Sequence, residues 1–477
     1  MESISNRARS AFKWTLSLRL LAQAFTWLSS LFVIRLLTPL DYSIVAIADM
    51  VLMLALQLAS AGLGNVLIRQ KNLDRIFIQK VLFLLILLNG SLALLQMALA
   101  STIAQFYQQP AVEYVLYITA LAFIVMPWIT VSSNLLARDM NFKSRSQVDF
   151  IASLLSSITA LSLAYLGFGF WSLILANILM IYTKAIGYNL VYGKLHFPIW
   201  QLSDMGAAVK FGLTIMSTSL LFTLFMKVDI LIAARFVDAT QLGFYAVAIH
   251  LALMPMSKVM PLVNEVAYPL YAAIQDDDQK YKNTFCYILR IVTLFSFPFF
   301  YGFAVICEEL VVLILGAQWQ PAALPLQLIL LTIPLRIISN LFTPLMKALG
   351  YPSTGLIHVS FSLTLTIIAV FLASSSGIVA IAATWLLTTP IFFLFAVYLC
   401  ASRSKISGKA IFSAALPPFI ISILMFITLF TTKKWLLIET GLISTILIII
   451  PLGVLIYVGS MWLFFKDRFA EAIKFRL

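Results

Sequence analysis

The sequence predicts an all-α polytopic membrane protein of about 14 transmembrane helices, and three observations predict it. Of its 477 residues, 62% are hydrophobic and only 11% are charged, less than half the charged share of an ordinary globular domain. Apolar segments recur along the whole chain at about the 20 residues needed to cross a hydrocarbon core of ~30 Å. The breaks between them are short and polar, so no soluble stretch is long enough for a nucleotide site or a conventional catalytic core.

The first span, 13–36, follows the basic stretch MESISNRARSAFK. It is too long for the apolar region of a signal peptide and lacks a small-residue cleavage site, so it reads as uncleaved. Spans follow at 42–67, 77–104, 111–137, 146–167 and 168–193, the last two parted only by Gly167-Phe168-Gly169. The segment KLHFPIWQLSDM (194–205) is a seam, with Pro198, Trp200 and a helix cap at Ser203. Beyond it come 206–235, 242–267, 283–306, 321–347, 354–374 and 377–400, then 410–430 and 436–464. Prolines crowd the eighth span (Pro255, Pro261, Pro269) and the tenth (Pro325, Pro334, Pro344), where each removes an intrahelical hydrogen bond and favours a kink. The tail KDRFAEAIKFRL carries Phe469, Ile473 and Leu477 on one stripe among cations, the pattern of an interfacial helix.

Val45-Ala46-Ile47 in the second span recurs as Val247-Ala248-Ile249 in the eighth, each after an aromatic turn and an arginine that closes the preceding span (Arg35, Arg235). Six spans separate the copies, so the halves share orientation and form a parallel repeat, with a substrate site expected between them near the midplane. The expected organisation is a six-helix lobe over 1–200, a second over 201–402, and two additional helices with a basic tail over 403–477.

The net charge of +13 is distributed as a membrane protein distributes it. With the N-terminus in the cytoplasm, 24 of the 32 Lys and Arg fall in cytoplasmic loops, tails or adjoining helix ends. Four (Arg35, Arg235, Lys433, Lys434) fall outside, and four lie within spans. This asymmetry sets both termini in the cytoplasm. The basic excess faces anionic inner-leaflet lipid rather than nucleic acid.

Charge within a bilayer is costly and marks packed pairs or water-filled paths. The residues concerned are Arg19, Asp49, Lys227, Asp229, His250, Lys258, Glu265 and Arg336. Arg19, Gln23, Thr26 and Ser30 share one helical face, as do Thr332, Arg336, Ser339, Asn340 and Thr343, while Lys258 and Glu265 are seven apart. Lys227 and Asp229 are two apart and point to different faces, so neither neutralises the other. Asp49 and Glu265 read equally well as ion-paired struts between helices. Cys286, Cys307 and Cys400 have no disulfide or metal-ligand spacing. The run Asp276-Asp277-Asp278 reads as a solvated loop with a helix cap rather than as a metal-binding motif of sugar-nucleotide transferases. No constellation of the three histidines supports catalysis, and no metal or bound cofactor is expected.

Several turn segments resemble the polysaccharide-transporter family of the multidrug/oligosaccharidyl-lipid/polysaccharide exporter superfamily. They are RLLTPLDYSIVA (35–46), AGLGNVLIRQKNL (61–73), NLLARDMNFKS (134–144), GFGFWSLI (167–174), KFGLTIMSTSLL (210–221), QLGFYAVA (241–248), VAYPLYAAIQDD (266–277) and ELVVLILGAQWQPA (309–322). The branch most similar is that of O-unit and colanic-acid flippases, with Ser43 standing where the family turn usually has glycine. The resemblance implies a V-shaped pair of six-helix lobes around a central cavity. It implies a cargo too: an oligosaccharide on a polyprenyl pyrophosphate, moved from the inner to the outer leaflet of the bacterial cytoplasmic membrane. Arg19 and Arg336 then become the first candidates for the anionic headgroup, because guanidinium binds phosphate bidentately. Lys227 and Lys258 come second. Asp49, Asp229 and Glu265 are candidates for coupling to an H⁺ or Na⁺ gradient, and Gln23, Gln57, Asn340 and Thr343 for glycan contacts. Further partners are membrane lipids and other polysaccharide-assembly membrane proteins. The competing readings are an H⁺- or Na⁺-coupled drug antiporter of the same superfamily and a membrane glycosyltransferase or polymerase. The antiporter would favour an acidic, aromatic cavity. The enzyme would need a long outer loop with catalytic acids or histidines, which the sequence lacks.

Overall fold

A computed structural model describes residues 21–466, apart from residues 61, 71–72, 195, 202, 204 and 438–439 and the side chains at 258, 259, 261, 262 and 265. Its described residues are helical almost throughout, with no strand among them. Ten helices are long and apolar enough to cross a bilayer, or 12 when two bent pairs are each taken as one span. Two of the expected spans fall outside that count. The first is described only as α1, Leu21–Leu36, and the eleventh and twelfth run together as Ser353–Arg403. The protein is a multi-pass membrane protein.

The first compact unit runs to Gly243. It holds α1, α2 (Pro39–Ser60), α3 (Leu63–Arg69), α4 (Arg75–Phe106), α5 (Pro110–Ala120), α6 (Ala122–Arg138), α7 (Phe142–Tyr165), α8 (Trp171–Tyr192) and α9 (Gly206–Phe236). Its core forms where α3, α4, α6 and the start of α9 converge on Leu67, Val81, Leu82 and Leu85, each essentially inaccessible. The division by packing therefore leaves α9 with the helices that precede it, where it lies along α2 and α3. The repeat expected from the sequence, which would mark duplication rather than contact, would divide the chain at 200.

The second unit begins at Phe244. It holds most of α10 (Ala239–Ala273), then α11 (Asp278–Leu310), α12 (Ala323–Leu330), α13 (Ile333–Ala348), α14 (Ser353–Ala373), α15 (Gly377–Arg403), α16 (Gly408–Leu436) and α17 (Leu442–Phe464). α16 and α17 pack against α11. Phe419 lies 5.3 Å from Phe297, centroid to centroid, and Tyr457 Oη donates to the Leu294 carbonyl at 2.8 Å.

The α12–α13 pair has a proline at its break, whereas in the α5–α6 pair the proline lies six residues past it. α12 and α13 meet at 45°, with Pro334 in the first turn of α13. α5 and α6 meet at 41°, with Pro127 inside α6. Proline withholds the N–H that the preceding turn needs, so the helix bends where neighbours can satisfy the freed carbonyl. The outward Leu and Phe side chains, such as Leu94 at 70% and Leu372 at 73% exposure, face the hydrocarbon a multi-pass protein sits in.

Candidate functional site

The charge at depth in the first unit is built from two helices. α2 starts abruptly because Thr38, Pro39 and Asp41 form a capping box. The Thr38 N–H and Oγ1–H donate to Asp41 Oδ2 at 2.9 and 2.7 Å, and the Asp41 N–H donates back to Thr38 Oγ1 at 3.2 Å. Asp41 Oδ1 accepts the Phe170 N–H at 2.9 Å, which ties the start of α2 to the turn between α7 and α8. Gly169 in that turn has φ 53°. A Cβ there would fall 2.7 Å from Asp41 Oδ1, so glycine is required both by backbone and by space. Two of the segments that carry the family resemblance, TPLDYS and GFGFW, are thus one joint.

Held by that joint, α2 presents Asp49 to Lys227 on α9, with Nζ 2.8 Å from Oδ2. The two side chains keep 35% and 19% of their surface accessible, so the pair is reachable rather than sealed. Asp229, two residues on, is fully buried, and its Oδ1 accepts the Ile230 N–H at 2.8 Å. Lys227 has therefore found its anion on the neighbouring helix. Gln57 sits half-buried further down α2, and Gln23 half-buried on α1 with no hydrogen-bond partner for Nε2 among the described residues. Arg19 lies outside the described residues.

In the second unit Arg336 is buried on α13, at 6% exposure. Its guanidinium carbon sits 4.1 Å from the centroid of the Trp385 ring on α15. Trp385 in turn donates its Nε1–H to Tyr245 Oη on α10 at 3.0 Å, and both rings are essentially inaccessible. A buried cation held flat on an indole face recovers part of its desolvation cost. Arg336 is thus wedged between helices, in the protein interior that its polar stripe allowed alongside a water-filled path. The stripe also turns inward on itself, because Ser339 Oγ and Asn340 Nδ2 donate to the carbonyls of Leu335 and Arg336. Thr343 lines a narrow crevice with Ser339, Thr354 and His358. Lys258 and Glu265 lie on α10 with their side chains outside the described residues.

Two polar nodes escaped the sequence reading. Asp41 is one, and the T-x-x-D spacing with proline second was the signal that could have found it. The other joins α16 to α11. Lys433 Nζ lies 2.7 Å from Glu309 and 3.7 Å from Glu308, and donates to the Val305 carbonyl at 3.1 Å. Just beyond, 311–315 forms a π-helix closed by Gly316. Glu308 and Glu309 ending one apolar run, and Lys433 ending another on the same side, were visible in the sequence but only as loop charges.

Residues 32–324 match the family described as "Polysaccharide biosynthesis protein". The chain belongs to that family. The teichuronic acid biosynthesis protein TuaB of Bacillus subtilis (strain 168) is 24% identical over 372 residues, covering 77% of each chain. The lipopolysaccharide biosynthesis protein WzxC of Escherichia coli (strain K12) is 22% identical over 352 residues, 72% of this chain and 71% of the relative. Among solved structures, the lipid II flippase MurJ in an inward closed conformation superposes with a TM-score of 0.76. It covers 95% of this chain and 99% of its own, at 15% identity. The polysaccharide biosynthesis family and the flippase fold agree with the transporter resemblance read from the turn segments.

Proposed function

We propose that the protein is a flippase, moving a polyprenyl-pyrophosphate-linked oligosaccharide from the inner to the outer leaflet of the bacterial cytoplasmic membrane by alternating access, for assembly of a cell-surface polysaccharide. The observation that carries this reading is an accessible cation at membrane depth, Lys227 on Asp49, in a chain of the polysaccharide biosynthesis family. An oligosaccharide crossing hydrocarbon unaided forfeits its hydrogen bonds to water at several kcal/mol per group, roughly. A hydrated path removes that barrier, and a cation along it holds the pyrophosphate. Lys227 takes the leading role because it is reachable, and Arg336 would act from its wedge beside Trp385. Outward movement of pyrophosphate against an inside-negative potential is favourable, by about 2.3 kcal/mol per charge per 100 mV. An inward H⁺ or Na⁺ would reset the carrier through Asp49, Asp229 or Glu265. Both termini lie in the cytoplasm under this reading.

The test uses purified protein in liposomes holding a labelled polyprenyl-pyrophosphate sugar, with an impermeant lectin reporting arrival at the outer face. Wild type should translocate the label. Lys227→Ala should slow it at least about tenfold, the loss of about 1.4 kcal/mol at the transition state. Translocation retained by Asp49→Asn, Asp229→Asn and Glu265→Gln alike would remove the ion-coupling assignment. Transport of lipophilic cations instead of the lipid would transfer the chain to the antiporter reading.

A further inference from the structure

The inner half of α9 lies in KFGLTIMSTSLL, a segment to which the flippase reading gives no task. Lys210, Thr214 and Ser217 follow i, i+4, i+7 spacing and share one exposed face. They line a cavity of about 550 Å³ together with Leu84 of α4 and with Val209 and Leu213 of α9. Among the described residues Lys210 has no ion-pair partner. Below it the walls have no free hydroxyl proton to offer. Thr214 Oγ1 already donates to the Lys210 carbonyl at 3.0 Å, and Ser217 Oγ to the Leu213 carbonyl at 2.8 Å.

Neighbouring parts of α3, α4, the seam and α9 are basic and aromatic. Trp200, 83% exposed, lies 5.1 Å from Phe83 between ring centroids. Lys80 Nζ donates to the carbonyl and Oγ of Ser203 at 3.2 and 3.1 Å, and Arg69 lies 4.6 Å from the Phe211 ring centroid. Tryptophan and fixed cations at one helix end mark the level of the lipid headgroups.

We propose that this cavity binds an anionic glycerophospholipid of the inner leaflet, its phosphodiester on Lys210 and an acyl chain along Leu84, Val209 and Leu213. Lys210 is the cation of the lining, while Lys80 is engaged by Ser203 and Arg69 by Phe211. One free lysine above a mostly apolar wall suits a singly charged headgroup with a hydrocarbon tail. It does not suit a pyrophosphate, which brings two or more charges, nor a glycan, which needs donors and acceptors throughout its length. The inference rests on the topology proposed above and is independent of the cargo. A lipid seated there would bridge α4 to α9, the helix that carries Lys227.

Native mass spectrometry of the full chain from micelles with equimolar phosphatidylglycerol and phosphatidylethanolamine tests it. Wild type should retain phosphatidylglycerol in preference by about fivefold, the ratio that ~1 kcal/mol for one lysine near the surface gives. Lys210→Arg should keep that ratio, Lys210→Ala should bring it near parity, and Lys409→Ala on α16 should leave it unchanged. A wild type with no preference, or a preference that survives Lys210→Ala, overturns the proposal. So does undecaprenyl phosphate displacing the phospholipid from wild type, which would make the cavity a station for the cargo lipid. The wild-type selectivity and the displacement need no variant, so they decide the matter even if Lys210→Ala fails to fold.

Discussion

Gly243 shows what a single missing side chain does here. A Cβ built on it would lie 1.8 Å from the carbonyl oxygen of Pro39 and 2.5 Å from its carbon, and that backbone starts α2 and cannot step aside. Gly243→Ala should therefore collapse the yield of folded protein in fluorescence-detected size exclusion. Gly90→Ala on α4, where nothing lies within 4 Å, should instead raise the unfolding midpoint modestly, because alanine is the better helix former by up to about 1 kcal/mol. The Lys227–Asp49 pair is the second residue-scale case. Removing either partner strands a charge at depth, so Lys227→Ala and Asp49→Ala should each destabilise, and the double variant should cost less than their sum. A double-mutant cycle on thermal stability should give a coupling of about 1–3 kcal/mol, and additivity would mean that the contact carries no energy of its own.

At the scale of elements, what ends a helix here is what joins it to another. Asp41 caps α2 and holds the α7–α8 turn with its second oxygen. Asp41→Ala should cost about 1 kcal/mol for the cap alone and more for the freed Phe170 N–H, whereas Asp41→Asn should cost less, as read from unfolding midpoints. The acidic run works the same way. Asp277 caps α11 by accepting the Lys280 N–H at 3.0 Å, and Asp278 pairs with Lys405 in the turn before α16. The hydrogen bond from Lys405 holds the Asp278 carboxyl below its ordinary 3.8, and the same bond raises the lysine. The aspartate's share of this tie is present above its ordinary value and is lost as pH falls through the depressed folded value. The lysine's share is lost only as pH rises through its raised one. Amide exchange around Ile406 should thus be slow at neutral pH and should quicken with Asp278→Asn or with high salt, since both groups are solvated. These joints also show what the sequence could and could not disclose. Hydrophobic runs made the helices and their order legible, because they depend on composition within one segment. Prolines foretold the break at Pro334 for the same reason. Partners across helices were not legible. The partner of Asp49, Lys227, lies 178 residues away in the chain, and Arg336, placed by spacing on a polar face, leans on Trp385, 49 residues away.

For the whole molecule the decisive seam is the one of α2 and its C-terminal turn against α9 and the first turn of α10, which the expected repeat would assign to different halves. It closes at three levels: Gly243 on Pro39, Lys227 on Asp49, and Gly62, with φ 63°, within 2.5 Å of the Gly212 carbonyl oxygen for a Cβ built on it. Under the proposed topology Arg35 and Arg235 lie outside, which would make the Pro39–Gly243 end the outer one. A flippase that releases its cargo outward has to part that end once in each cycle, since backbone packed on backbone leaves no room for an oligosaccharide. A Cβ built at Gly243 lies 2.9 Å from the Pro39 Cα, so the two Cα atoms are at most about 4.4 Å apart, at the short end of what a disulfide spans. The folded fraction of the Pro39→Cys, Gly243→Cys pair should then transport under reducing conditions, stop when oxidised and resume on reduction, with transport per folded molecule of each single-cysteine variant unchanged by oxidation. The Gly243→Cys change is itself demanding for the packing reason given above, so Leu40→Cys with Gln241→Cys and a short thiol crosslinker serves as the second arm. Transport that continues in both oxidised or crosslinked forms would make this end a fixed pivot. The moving surfaces would then have to be sought in the second unit, around α10, where Tyr245 meets Trp385 and Arg336.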